Sequence, residues 1–144
     1  MILLDASAML SLLLGEPGDA DVAALIQGAD CATAAPCLSE AVDHLIRRTG
    51  VRRGEVVDRL EPLIDASLGI LPTENRVAWE AGEIRAEHYE RKRVSISLAD
   101  CTILAVAGPN DKLATSDAAL VEVAGKLGIS VIRLPDSKGK RPNG

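Results

Sequence analysis

Asp5, Glu40, Asp100 and Asp117 each stand where an apolar stretch hands over to a helical pattern, and carboxylates gathered from such places do metal-ion and proton chemistry. Asp5 closes the apolar run Met1-Ile2-Leu3-Leu4. Glu40 falls in the first turn of the pattern after 31–34, Asp117 follows the short run 112–115, and Asp100 lies in the first turn of a pattern opening at Ser97. Each also has a local role. Asp5 and the pair Ser116-Asp117 suit helix N-caps, Ser97-Leu98-Ala99-Asp100 has the S-x-x-D form of a capping box, and Glu40 complements a helix dipole. Local roles do not suffice if all four converge, because two like charges ~4 Å apart repel by about 4 kcal/mol at an effective dielectric of about 20. A converging quartet calls for a proton or a cation, and an all-oxygen site suits the hard ions Mg²⁺ and Mn²⁺. An ion so held activates water and clamps a phosphodiester for in-line attack.

Positioning these acids requires particular elements in a particular order. The wholly apolar run 1–4 suits a central strand covered on both faces, and ligands of open α/β sheets gather beyond the carboxyl ends of such strands. Further strands are expected at 31–34, 69–71, 112–115 and 130–134. Helices are expected at 8–14, 20–27, 39–48, 52–66, 73–93 and 97–107, with a last one closing at Gly128. Pro36 should break the chain after the second strand, and Pro62 should kink or divide the 52–66 helix near Leu60. Alternating strands and helices imply one α/β sandwich with a mainly parallel five-stranded sheet, since parallel strands require crossover connections. Asp5, Glu40 and Asp117 then share the carboxyl edge. Asp100 joins them if the Ser97 helix delivers its first turn to the same rim. The domain is expected over 1–135, with a flexible polar tail at 136–144.

Composition narrows the function classes. The chain has 144 residues, 47% of them hydrophobic, enough for one domain with a proper core. A formal charge of -5 excludes a generally basic nucleic-acid coat, and one Trp, one Tyr and no Phe exclude an aromatic platform for stacking single-stranded bases. Phosphate steering falls to local clusters, Arg47, Arg48, Arg52 and Arg53, and Arg91, Lys92 and Arg93. Cys31, Cys37 and Cys101 are odd in number and lack a C-x-x-C spacing, which suits a reducing cytosol, with Cys101 in the core. The first segment has no basic n-region and Asp5 interrupts it, so neither a signal peptide nor a membrane span is expected, and the protein should be cytoplasmic. Ser7 suits a backbone cap or a hydrogen bond to a metal ligand or water, and His44 and His88 suit surface or helix-packing positions.

Ile2-Leu3-Leu4-Asp5-Ala6-Ser7, Ser39-Glu40, Ile96-Ser97-Leu98-Ala99-Asp100 and Leu113-Ala114-Thr115-Ser116-Asp117, in this order and at this length, resemble the PIN-domain ribonucleases, specifically the VapC-type toxins of bacterial toxin-antitoxin pairs. The resemblance runs from Met1 to about Leu134. It implies a sheet ordered 3-2-1-4-5, an acidic metal site of Asp5, Glu40, Asp100 and Asp117 with Thr115 as supporting polar residue, and metal-dependent endonucleolytic cleavage of RNA leaving a 5′-phosphate. It also implies a homodimer and a small cognate antitoxin protein. Leu120 departs from the pattern, since members often carry an aromatic shortly after the last aspartate. The alternatives are a catalytically silent α/β interaction or signalling module, and a stand-alone PIN nuclease without antitoxin. A receiver domain would need an aspartate ending the third strand, where Ile70-Leu71-Pro72-Thr73 stands, and a D-x-D phosphatase would need an acid at Ser7.

Overall fold

The computed structural model describes residues 1–143 and alternates strands with helices. In chain order these are β1 (Ile2–Leu4), α1 (Ala6–Leu14), α2 (Asp19–Gly28), β2 (Cys31–Ala34), α3 (Ala35–Thr49), α4 (Arg53–Ala66), β3 (Leu68–Leu71), α5 (Asn75–His88), α6 (Leu98–Val106), β4 (Lys112–Thr115), α7 (Ala118–Lys126) and β5 (Ser130–Arg133). The strands form one sheet, parallel throughout, in the order β3-β2-β1-β4-β5. The expected α/β class and strand order are those of the molecule.

Leu3 and Leu4 are neighbours on a strand, so their side chains leave opposite faces of the sheet, and both are fully buried. β1 is therefore covered on both sides, as its wholly apolar sequence requires. Its register against β4 pairs Leu4 with Ala114, which makes both strands end at one level and sets Asp5 beside Thr115. On the other side the Thr33 hydroxyl donates to the Leu4 carbonyl at 2.6 Å. The last peptide of the shortest strand is thus held from both neighbours.

Three expectations about helices give way to local chemistry. Pro36 does not delay the third helix: α3 starts at Ala35 with Pro36 in its first turn, where the missing N–H would have had no partner. Glu40 consequently lies in the second turn. Pro62 sits inside an undivided α4, and since Asp58 and Pro62 are both exposed, water can serve the carbonyl that loses its donor. The 73–93 pattern is helical only to His88, after which Glu90 and Val94 pair across a tight turn through backbone bonds of 2.9 and 2.8 Å. Arg91 and Lys92 stand exposed on that turn.

α1 and α3 close on Gly15 and Gly50 in the left-handed conformation (φ 63 and 67), which costs glycine little. After β5, Asp136 accepts from the N–H groups of Lys138 and Lys140, both at 2.9 Å, and Arg141 pairs with Asp21 of α2 at 2.8 Å. No helix among the described residues is long and apolar enough to cross a membrane.

Candidate active site

Asp5 is the most enclosed of the four acids, 2% exposed, and both of its oxygens are engaged. Oδ1 accepts from the Ala8 N–H at 2.8 Å, capping α1, and Oδ2 accepts from the Thr115 hydroxyl at 2.5 Å. Ser7 Oγ lies 2.8 and 2.9 Å from the two oxygens and accepts in turn from the Ser116 N–H at 3.1 Å. Thr115 Oγ1 also accepts from the Asp117 N–H at 3.0 Å. The ends of β1 and β4 are therefore laced together through two hydroxyls and one carboxylate. Ser7, whose expected roles were a backbone cap or a hydrogen bond to a metal ligand, and Thr115 both hold Asp5 in place.

Asp100 and Asp117 are built differently. Ser97 and Asp100 form the capping box in full, with Ser97 N–H to Asp100 Oδ2 at 2.7 Å and Asp100 N–H to Ser97 Oγ at 3.0 Å. Asp117 caps α7 through Oδ1, which accepts from the Ala119 and Leu120 N–H groups at 2.7 and 3.2 Å. In each case the second oxygen accepts no hydrogen bond among the described residues, and neither is sealed from solvent. One oxygen serves the fold and the other is left for a ligand. Capping and site roles coexist in the same carboxylate.

The four acids line one cleft of about 250 Å³, together with Ser7, His44, Ser95 and Ser97. α3 packs against both α1 and α6 around it, and the first turn of α6 does deliver Asp100 to the rim shared by Asp5 and Asp117. Glu40 reaches the same cleft half-buried from the second turn of α3. Electrostatics record the crowding. Burial pushes Asp5 up to about 6 from an ordinary 3.8, against hydrogen bonds from Thr115, Ala8 and Ser7 that pull it down, with Asp117 adding a smaller upward push. Burial pushes Asp100 up to about 7, opposed by the Ser97 N–H and aided by Asp5, Glu40 and Asp117. Cys37, whose thiol donates to the Ala99 carbonyl at 3.4 Å between α3 and α6, is also driven upward, first by burial and then by Asp5, Asp100 and Glu40. Cys31, Cys37 and Cys101 are all free and buried.

His44 is the cleft residue that sequence reasoning missed. It follows Glu40 by four residues on α3, the spacing that puts two side chains on one helix face, and this was the available signal. His88 lies instead at the end of α5, 3.9 Å from Glu87.

The donor set suits a hard cation, being carboxylate and hydroxyl oxygens throughout apart from one imidazole. Among the described residues no three acids, histidines or cysteines are drawn together into a closed ligand group. Mg²⁺ does not need one, since it keeps several waters and takes one or two carboxylates plus substrate phosphate oxygens. Two carboxyls pushed toward neutrality and two uncommitted oxygens fit that mode of binding.

Comparison with known proteins follows the same lines. The family model described as the PIN domain matches residues 2–126. Among solved structures, the chain is similar to a toxin-antitoxin complex from Klebsiella pneumoniae (19% identity, TM-score 0.65, covering 92% of this chain and 96% of that one). It is similar to VapBC2 from Rickettsia felis bound to a DNA fragment from its promoter (16%, 0.65, 92% and 98%) and to the sarcin-ricin loop cleaving toxin VapC20 of Mycobacterium tuberculosis (20%, 0.59, 90% and 85%). A search of curated proteins finds no match. At these identities the likeness to solved structures is one of fold.

Proposed function

Because the chain belongs to the PIN-domain family, we propose that it is a divalent-metal-dependent endoribonuclease, the toxin of a toxin-antitoxin pair. The observation that carries this reading is the single cleft at the carboxyl edge of the sheet into which β1, α3, α6 and the start of α7 bring Asp5, Glu40, Asp100 and Asp117. The similar Mycobacterium tuberculosis protein is a sarcin-ricin loop cleaving toxin, which supports RNA as the polymer. The similar Klebsiella structure is a toxin-antitoxin complex, which supports a small protein partner.

Asp5, Glu40, Asp100 and Asp117 would hold Mg²⁺ or Mn²⁺, which supplies Lewis-acid charge and an acidified water for attack on phosphorus. The chain's own contribution is placement. Thr115, Ser7 and the Ala8 N–H fix the Asp5 carboxylate in one rotamer, so no reorganisation is needed when ligand enters. Asp100 and Asp117 are clamped by their caps at one oxygen and present the other to the cleft. Low exposure around Asp5 and Asp100 keeps water sparse and strengthens each interaction made there.

The test is induction of the chain in cells, with the 5′ ends of all RNAs sequenced against an Asp5→Asn control. New 5′-monophosphate ends at discrete positions are expected, reproduced by purified protein with Mg²⁺ or Mn²⁺ and abolished by EDTA. No new ends, or ends unchanged in the variant, would count against a nuclease and favour a silent interaction module.

A further inference from the structure

His44 stands in the acidic cleft with no partner for either ring nitrogen among the described residues. Its Nδ1 is buried and unpaired, which in a native fold calls for an explanation. Nε2 also makes no hydrogen bond, yet it is not sealed off. In the neutral ring one nitrogen carries the proton and the other a lone pair. An orphaned buried N–H is rarer than an under-satisfied acceptor, so the proton belongs on Nε2, the edge that meets solvent. The imidazole is thus an unpaired donor, half-buried, in a cleft walled by four carboxylates.

No Lys or Arg lines that cleft, and His44 contributes its only side-chain nitrogen. A phosphodiester entering it meets acids and serine hydroxyls, of which Ser7 already donates to Asp5. We propose that His44 is a substrate contact, its Nε2–H donating to a phosphate oxygen of the RNA strand held in this cleft. The inference rests on the nuclease reading above and adds the residue that receives the substrate's charge. Position on α3 supports it: Glu40 and His44 share a helix face, so one rigid element would align an acid and a phosphate donor one turn apart.

The experiment uses the full chain with a randomised short single-stranded RNA as substrate in Mn²⁺, and follows His44→Ala and His44→Gln. His44→Ala should raise KM about tenfold with kcat changed far less, the size expected for a lost hydrogen bond to a charged group. His44→Gln, whose amide N–H can stand in for Nε2–H, should recover most of that loss. Mn²⁺ affinity, read by electron paramagnetic resonance, and melting temperature should match the parent in both variants. An unchanged KM in His44→Ala overturns the contact. So does weakened Mn²⁺ binding, which would make the ring a ligand, or a His44→Gln that melts lower and cuts as poorly as His44→Ala, which would make it structural. Failure of the parent to cut any RNA is a different result, and it removes the nuclease reading together with the contact.

Discussion

A single carboxylate in this protein carries two jobs, and its protonation shows the tension between them. Asp5 and Asp100 are held at about 6 and 7, above the 3.8 ordinary for aspartate, so between about pH 4 and 7 these two carboxyls bind more protons in the folded chain than in the unfolded one. The sign follows: stability is greatest at the acid end of this window and falls as pH rises through it, by on the order of 3 kcal/mol for Asp5 alone. Urea unfolding in EDTA at pH 5 and pH 8 should find the protein less stable at pH 8, with the difference shrinking in Asp100→Asn and partly restored by Mg²⁺. Stability that rises across that range would show that these carboxyls are not held up. For the same reason Asp5→Asn, Glu40→Gln, Asp100→Asn and Asp117→Asn should each cut RNA about a hundredfold less or worse, while Asp5→Asn and Asp100→Asn melt no lower than the parent at pH 8 without metal. A large drop in melting temperature would mark the acids as structural. The capping role of three of them was readable from local sequence, and so was the shared carboxyl edge of Asp5, Glu40 and Asp117; Asp100 was left conditional, because its place depends on which helices share a rim.

At the scale of elements, sequence reading succeeds where hydrophobic pattern decides and slips where proline or a turn does. The five strands stand where their short apolar runs put them, and their order is the one that the family resemblance implied. Pro36 illustrates the slip: a residue that breaks a helix interior also starts one well, and α3 shows the second behaviour. The earlier start at Ala35 puts Glu40 in the second turn, while Glu40 and His44 share one helix face with either start. The same geometry sorts the basic clusters. α3 leaves the carboxyl end of β2, so Arg52 and Arg53 lie beyond the far end of a helix about 22 Å long, away from the acids. Arg91 and Lys92 sit on the turn that leads directly into Ser95 and Ser97 of the cleft, and neither forms an ion pair among the described residues, whereas Arg93 is tied to Glu90 and Glu122. RNA binding by the Asp5→Asn protein should weaken steeply with salt, and Arg91→Ala with Lys92→Ala should lower the log–log slope by about one to two. Arg52→Ala with Arg53→Ala should leave it nearly unchanged. A salt-insensitive affinity, or the opposite ranking of the two pairs, would place the phosphate track elsewhere.

The whole molecule carries the charge problem of its site outward. A net charge of -5 repels RNA in general, so on the proposed reading access depends on a local basic turn beside an acidic cleft, and anything that covers that rim would silence the protein. Apolar side chains also stand exposed: Leu98, the first residue of α6 and next to the cleft-lining Ser97, is 60% exposed, and Trp79 on α5 is 73% exposed. Leu98 beside the acids suits a protein ligand that offers an apolar helix face and a cationic side chain, the latter entering the acidic cleft in place of a metal ion. On the toxin reading proposed above, the expected occupant is a small neighbour-encoded chain, and the expected state of this chain is a homodimer. Co-expression with the adjacent short reading frame should therefore yield a stable complex that cuts no RNA, and light scattering should find two copies of this chain in it. Leu98→Glu should weaken that complex by burying an unpaired charge against the ligand's apolar face while leaving the free protein folded. A chain that is monomeric, harmless when expressed alone and indifferent to its neighbour's product would fit a stand-alone PIN nuclease instead.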